Sequence, residues 1–478
     1  MGYFNEQTKK NIDAFIAANK GQILDDLLTL VRIPSVRSEA KENAPFGEAC
    51  AKALEASAAL FEREGLQTRI EKQYGYAVSY LGDGDEDFGL FGHADVVPAD
   101  GNWTVNEDPF APVIRDGFVF GRGCDDDKAG IICSLYAAKY IKENGIRLNR
   151  RLVCFTGTNE ESGMQDMRDF VAHERIPTRS LVPDGSYPFG YGEKAICRFW
   201  LTADEPFDTI VRIDGGNCFN AVLGKAVATL PKNAALLDEL TAKAAGNERI
   251  TVEEADGIIT VMATGITAHA AHPEGALDAG YVLFDFLTNI ASLGDHDKDI
   301  LQKVLPLLIT FDGSPFGMDA EAPILGCTTC ANGMLRTENG HLHLSFDARI
   351  AAMEKVDAML VSAEKAAKKC GCSFKLFSRS GGYLRDLSTP LAKALLDAYI
   401  GVTGETEAKP FVMQGGTYAK YLPEAFATSM KVHAGRELPV LPAGHGRAHQ
   451  PDEFISVDGI CEAIGIFICM IIDADNAD

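Results

Sequence analysis

The chain has no excess of basic residues. Of its 478 residues, 45 are Lys or Arg and 68 are Asp or Glu, a formal net charge of -23. That balance repels phosphate backbones and anionic lipid, so nucleic acid and membrane surfaces are excluded as expected partners. A long apolar run is also missing. The most apolar stretch, residues 463–472, falls well short of the roughly 20 residues a membrane span requires. It reads as a buried terminal helix.

Met1 to Lys20 is polar and amphipathic with no apolar h-region, so a secretory signal is not expected. Low-complexity segments and internal repeats are absent. The 12 cysteines sit in apolar stretches such as Arg151-Leu-Val-Cys154, a pattern that suits reduced thiols in a cytoplasmic protein. A single Cys-x-x-Cys, Cys327 with Cys330, has no second pair to complete a zinc site and reads as structural.

Globular composition is present in full, with 46% hydrophobic and 24% charged residues. The length suits two or three domains at roughly 100–200 residues each. Apolar residues recur near helical spacing from Ile12 to Leu30, and Pro34 ends that pattern. A second helix is expected from Ala49 to Glu64, a third from Cys124 to Asn144. Short apolar runs at Ala77–Leu81, Phe88–Phe91, Arg151–Thr156 and Leu181–Val182 read as strands. Strands alternating with helices imply an α/β catalytic domain with a mixed sheet and helices on both faces. Residues 194–384 carry their own signals, at Ile258–Ala263, Ala279–Ser292 and His341–Ile350. They read as an inserted α+β lid domain, with 1–193 and 385–478 forming the catalytic domain.

Five polar clusters follow these strands or lie near the C-terminus. They are Gly92-His93-Ala94-Asp95, Gly121-Arg-Gly-Cys-Asp125-Asp126-Asp127-Lys128, Asn159-Glu160-Glu161-Ser-Gly163, Pro183-Asp184-Gly185 and Ala448-His449-Gln-Pro-Asp452-Glu453. Each alone passes for ordinary polar residues. Together they supply the His and carboxylate donors of a hydrolytic two-metal site. Ligands in open α/β sheets bind beyond the carboxyl ends of strands, where most of these residues fall. Three adjacent carboxylates at 125–127 are costly to bury without a cation.

The order His-x-Asp-x-Val-Pro, Gly-Arg-Gly-x-x-Asp-x-Lys, Glu-Glu-Ser-Gly, Asp, His resembles the dinuclear-zinc metallopeptidases. That family includes aminoacylases, acetylornithine and succinyl-diaminopimelate deacylases, carnosinases and PepV-type bacterial dipeptidases. The PepV-like branch is favoured by the loop Trp103…Asp108-Pro-Phe-Ala-Pro112, by Asp126-Asp127-Lys128, by Gly192-Glu-Lys194 and by Gly215-Gly-Asn-Cys-Phe-Asn220. The resemblance implies that His93, Asp126 and Asp184 hold one divalent ion. Asp126, Glu161 and His449 would hold the other, with a cis peptide after the shared Asp126. Asp95 would orient His93. His269, assisted by Asn220, would stabilise the oxyanion. Arg349 would clamp a free substrate carboxylate, with Gly415, Gly416 and Thr417 at the same end.

The implied activity is hydrolysis of dipeptides by a metal-bridging water, with Glu160 as general base. Deacylation of N-acyl amino acids or succinyl-diaminopimelate is the alternative. Zinc is the expected metal, with manganese or cobalt as alternatives. The partner would be a small peptide with a free C-terminal carboxylate, acted on by a monomer or homodimer. His272, His433 and His445 match no ligand position. The branch pattern is broken at Gln414, Lys420, Ala276 and Asp278, which bears on substrate choice.

Overall fold

Strands buried along their whole length need covering on both faces, and the Asp87–His93 strand, buried at all seven residues, is one. In the computed structural model, which describes residues 2–413, 415–432 and 435–477, it lies inside a mixed sheet. Gln67–Glu71, Tyr76–Leu81 and Arg151–Gly157 run antiparallel to one another in that order. Asp87–His93, Arg179–Val182 and Ala425–Ala427 continue parallel to Arg151–Gly157. Gly190 then pairs antiparallel with Ala427.

Alternation along the strand sends its side chains to two cores. Phe88 and Leu90 join a core with helices Glu6–Val31, Lys128–Glu143, Pro390–Thr403 and Val457–Asp475. Phe91 points the other way and meets Phe155 and Phe170, the latter on helix Gln165–His173. Helices therefore cover both faces. The Val457–Asp475 helix is buried at Ala463 through Ile472, and each full apolar side chain buried there contributes roughly 1.5–3 kcal/mol. No helix among the described residues is long and apolar enough to cross a membrane.

The third helix begins at Lys128, not at Cys124 as its apolar spacing suggests. The N–H groups of Gly123, Asp125 and Asp126 all turn toward one oxygen of the Glu453 carboxylate, so the segment before Lys128 is held as a loop. Likewise the helix expected over Ala279–Ser292 stops at Thr288, capped at its start by the Asp278 carboxylate.

The chain forms two compact units. One comprises Met1–Tyr191, Leu384–Met413 and Thr417–Asp478, the other Gly192–Tyr383 with Gln414–Gly416. The second unit is an eight-stranded antiparallel sheet. Its order is Ile250–Ala255, Ile258–Thr264, Lys225–Pro231, Arg212–Gly215, Thr329–Glu338, His341–Ile350, Ala195–Ala203 and Cys372–Ser380. Ala195–Ala203 alternates buried and half-buried residues. Its buried positions share a core with helices Ala279–Thr288, Asp295–Val304 and Val356–Lys369.

Candidate metal centre

Strand ends deliver most of the site. His93 is the last residue of its strand, Glu160 and Glu161 follow the Arg151–Gly157 strand, and Asp184 follows Arg179–Val182. Asp126 comes from the loop before the Lys128 helix, and His449 from a distant segment that enters with a left-handed backbone, φ 66°. All six lie in the first unit.

Asp126 stands between the two imidazoles. Its Oδ1 is 3.1 Å from His93 Nε2 and its Oδ2 is 3.0 Å from His449 Nε2. His449 Nε2 is also 3.0 Å from Glu161 Oε1. Donor atoms of His93, Asp126 and Glu161 fall within 4.8 Å of one another, as do those of His93, Glu160 and Asp184. The peptide bond from Asp126 to Asp127 is cis.

His93 is 1% exposed. Its Nδ1 lies 3.0 Å from the Asp95 carbonyl oxygen, which can only accept, so Nδ1 carries a proton. A neutral His93 therefore presents its Nε2 lone pair to the cluster. The Asp95 carboxylate stands slightly farther from Nδ1, at 3.5 Å. It also accepts the N–H groups of Glu160 (3.1 Å) and Glu161 (3.2 Å), tying the histidine strand to the glutamate loop.

The electrostatics are those of a cation site. Burial pulls the His93 pKa down, but Asp126 and Asp95 outweigh it and hold it well above the ordinary value. Burial and the neighbouring Asp184 push the Glu160 carboxyl well up. Burial raises Asp127 as well, with the Asp184 and Asp126 charges adding to it. Glu160 Oε1 is buried and has no hydrogen-bond partner among the described residues. Closely packed carboxylates with an orphaned oxygen are stable when a cation sits among them. The donors are nitrogen and oxygen only, a set that fits zinc, manganese or cobalt.

The other expected residues fall as follows. In the second unit, the Asn220 carbonyl accepts the Ala270 N–H, and Ala221 bridges to His269, so Asn220 and His269 are brought together. His269 Nδ1 accepts the Ala271 N–H. Arg349 is 3% exposed and its guanidinium is held by the Asp347 carboxylate. Gly415 and Gly416 also belong to this unit, whereas Thr417 belongs to the first and caps the short helical turn Tyr418–Tyr421. Lys420 lies in that turn, and Ala276 packs beside Val222, Ala270 and Ala331. Gln414 and His433 lie outside the described residues. The His445 imidazole meets Asp452 at 2.7 Å, and the His272 N–H donates to the His269 carbonyl. The cysteines are all free thiols, Cys327 and Cys330 included.

Sequence reasoning missed three supports. Asp166 accepts the N–H groups of Thr158 and Asn159 and the Tyr418 hydroxyl, pinning the base of the glutamate loop. Lys431 pairs with Asp125 at 2.7 Å. Glu453 pairs with Arg122, both almost wholly buried. Of these, Glu453 carried a signal in its place in the His449 cluster, and Arg122 in its place beside the acidic run 125–127.

The chain is 29% identical to the protein named "Putative dipeptidase YtjP" of Bacillus subtilis (strain 168), over 96% of this chain and 98% of that one. Its fold is similar to that of an M20 family metallo-carboxypeptidase, Sso-CP2, from Sulfolobus solfataricus. That match has TM-score 0.59 and 14% identity, covering 95% of this chain and 99% of the other. It is similar as well to human carnosine dipeptidase 1, with TM-score 0.56 and 13% identity over 98% of each chain. The model of peptidase family M20/M25/M40 matches residues 89–473, and the chain belongs to that family.

Proposed function

We propose that the chain is a dipeptidase whose first unit holds two divalent ions, zinc foremost. His93, Asp126 and Asp184 hold one, and Asp126, Glu161 and His449 the other. The observation that carries this is Asp126, whose two oxygens face two different histidines beside the unpartnered Glu160 Oε1. The dipeptidase name of the Bacillus subtilis relative supports the substrate class.

Bound divalent ions supply an acidified water and a Lewis acid for the scissile carbonyl. The rest is done by side chains. Glu160 Oε1 accepts the proton of the attacking water and returns it to the leaving nitrogen, a role its raised pKa suits. The Asp95 carbonyl fixes the His93 tautomer, and the Asp95 carboxylate holds Glu160 at its backbone. Asn220 and His269 are assigned to the oxyanion. Arg349, Gly415, Gly416 and Thr417 are assigned to the substrate carboxylate. Nine of the twelve thiols are buried, which suits a reducing, cytoplasmic setting.

The test is a comparison of a dipeptide, its C-terminal amide and an N-acyl amino acid as substrates. Preference for the free dipeptide is expected. Equal turnover of the amide would remove the role given to Arg349, and preference for the acyl amino acid would overturn the dipeptidase assignment.

A further inference from the structure

One carboxylate in the first unit organises the loop on which Asp126 sits. Glu453 is fully buried, and its Oε1 accepts three backbone N–H groups, from Gly123 (3.0 Å), Asp125 (2.9 Å) and Asp126 (3.2 Å). Its Oε2 accepts Arg122 Nη1 at 2.5 Å. The backbone of the same residue is tied in as well. Its carbonyl accepts the Gly121 N–H, and the next residue, Phe454, pairs with Phe120.

Glu453 is four residues beyond His449, so it joins the loop that carries Asp126 to the segment that carries His449. Arg122 is enclosed too. It lies over the Trp103 ring at 5.4 Å, and its guanidinium donates to the carbonyls of Gln450 and Pro98. Three converging N–H donors need an acceptor that reaches all of them, and a buried donor left unmatched costs free energy. Reach, more than charge, is what this arrangement demands of residue 453.

We propose that Glu453 is a positioning residue, which sets Asp126 between His93 and His449 by holding the N–H groups of residues 123, 125 and 126. Its carboxylate is occupied by Arg122 and three backbone N–H groups, so it acts through the loop and not on the reacting atoms. The proposal rests on the reading of Asp126 and its neighbours as a divalent-ion site.

Reach and charge are separable. Glu453→Asp keeps the charge toward Arg122 but withdraws the oxygen by one methylene. Glu453→Gln keeps the reach and removes the charge. Ion-stripped protein is titrated with Co2+, and the visible absorption and binding constant are read beside the melting temperature of the ion-free protein. For Glu453→Asp, altered Co2+ bands and at least about tenfold weaker binding are expected, the usual scale for losing a group that orients a ligand. For Glu453→Gln, bands like those of the unaltered chain are expected, with a lower melting temperature.

The reverse pattern, with the site kept by Asp and lost by Gln, would overturn the proposal in favour of a simple ion pair. Unaltered bands and affinity in both variants would overturn it too. Should Glu453→Asp fail to fold, Glu453→Gln decides alone: unchanged bands support the proposal and changed bands overturn it. Absence of any Co2+ spectrum in the unaltered chain would instead overturn the metal-site reading and the proposal with it.

Discussion

The Asp347 carboxylate grips the Arg349 guanidinium two residues along the same strand, Oδ1 to Nε at 2.5 Å and Oδ2 to Nη2 at 3.1 Å. Arg198, on the neighbouring strand, shares Oδ2 at 2.9 Å. An Arg fixed in this way is pre-organised, losing little side-chain freedom when it meets an anion. Arg349→Met should lower kcat/KM for a dipeptide by roughly 100-fold, the scale of a lost charge-assisted pair. It should leave hydrolysis of the dipeptide's C-terminal amide nearly unchanged. A parallel loss on both substrates would point to a structural role for the Asp347–Arg349 pair.

In the proposed mechanism Glu160 moves the proton while other side chains hold the ions. Glu160→Ala should lower kcat by roughly 10²–10⁴, the usual range for a general base. The content of bound divalent metal, measured by elemental analysis, should stay close to that of the unaltered protein. Retained turnover would remove Glu160 from the mechanism. Stripping the ions with a chelator should abolish activity in both proteins and lower the melting temperature, since ligands that bind only the folded state stabilise it.

Gly130 sits in the first turn of the Lys128–Glu143 helix, where Ala is ordinarily the better helix former. Here a Cβ would lie 2.1 Å from Asp127 Oδ1 and 2.7 Å from Pro183 Cγ. The clash outweighs the propensity gain, so Gly130→Ala should destabilise by roughly 1–3 kcal/mol. Chemical denaturation checks the sign, and a more stable variant would show that the Asp127 carboxyl swings away freely.

Asp278, one of the positions at which the branch pattern is broken, caps the Ala279–Thr288 helix while fully buried. Burial pushes its carboxyl up from 3.8 to about 7, against the Tyr281 and Gly280 N–H groups that favour the charged form. Its folded value lies above its unfolded one. Its contribution is therefore present in full below about pH 4 and is lost as pH rises toward about 7. Asn caps a helix as well as Asp does. Asp278→Asn should match the unaltered protein near pH 4 and exceed it near pH 8, by on the order of 1–3 kcal/mol. Denaturant midpoints at the two pH values read this, and an equal difference at both would place the effect elsewhere.

The candidate ligands His93, Glu161 and Asp184 and the candidate base Glu160 stood out because they fall in short polar clusters after apolar runs, and strand ends converge on one side of an α/β sheet. The terminal helix was legible for a related reason, its apolar residues being continuous. What escaped was pairing at a distance. Nothing local to Arg122 points to a carboxylate 331 residues away, and nothing in Asp166 distinguishes it from any acid opening a helix. The start of the Lys128 helix was misjudged for the same cause: apolar spacing continues upstream, but the N–H groups of the preceding loop are claimed by Glu453. The Asp347–Arg349 grip follows from alternation along one strand, whereas the share that Arg198 takes of the same carboxylate depends on a strand register that composition does not encode.

The order of the segments has a consequence for synthesis on the ribosome. His93, Asp126, Glu161 and Asp184 all precede the second unit, but His449 follows it, and so does Ala425–Ala427, a strand of the first unit's sheet. A nascent chain therefore presents Gly192–Tyr383 entire while its first unit still lacks a strand and a histidine. On the proposed ligand set, hydrolytic competence can arise only after residue 449 has been made, so shorter translation products carry the carboxylate cluster without its closing imidazole.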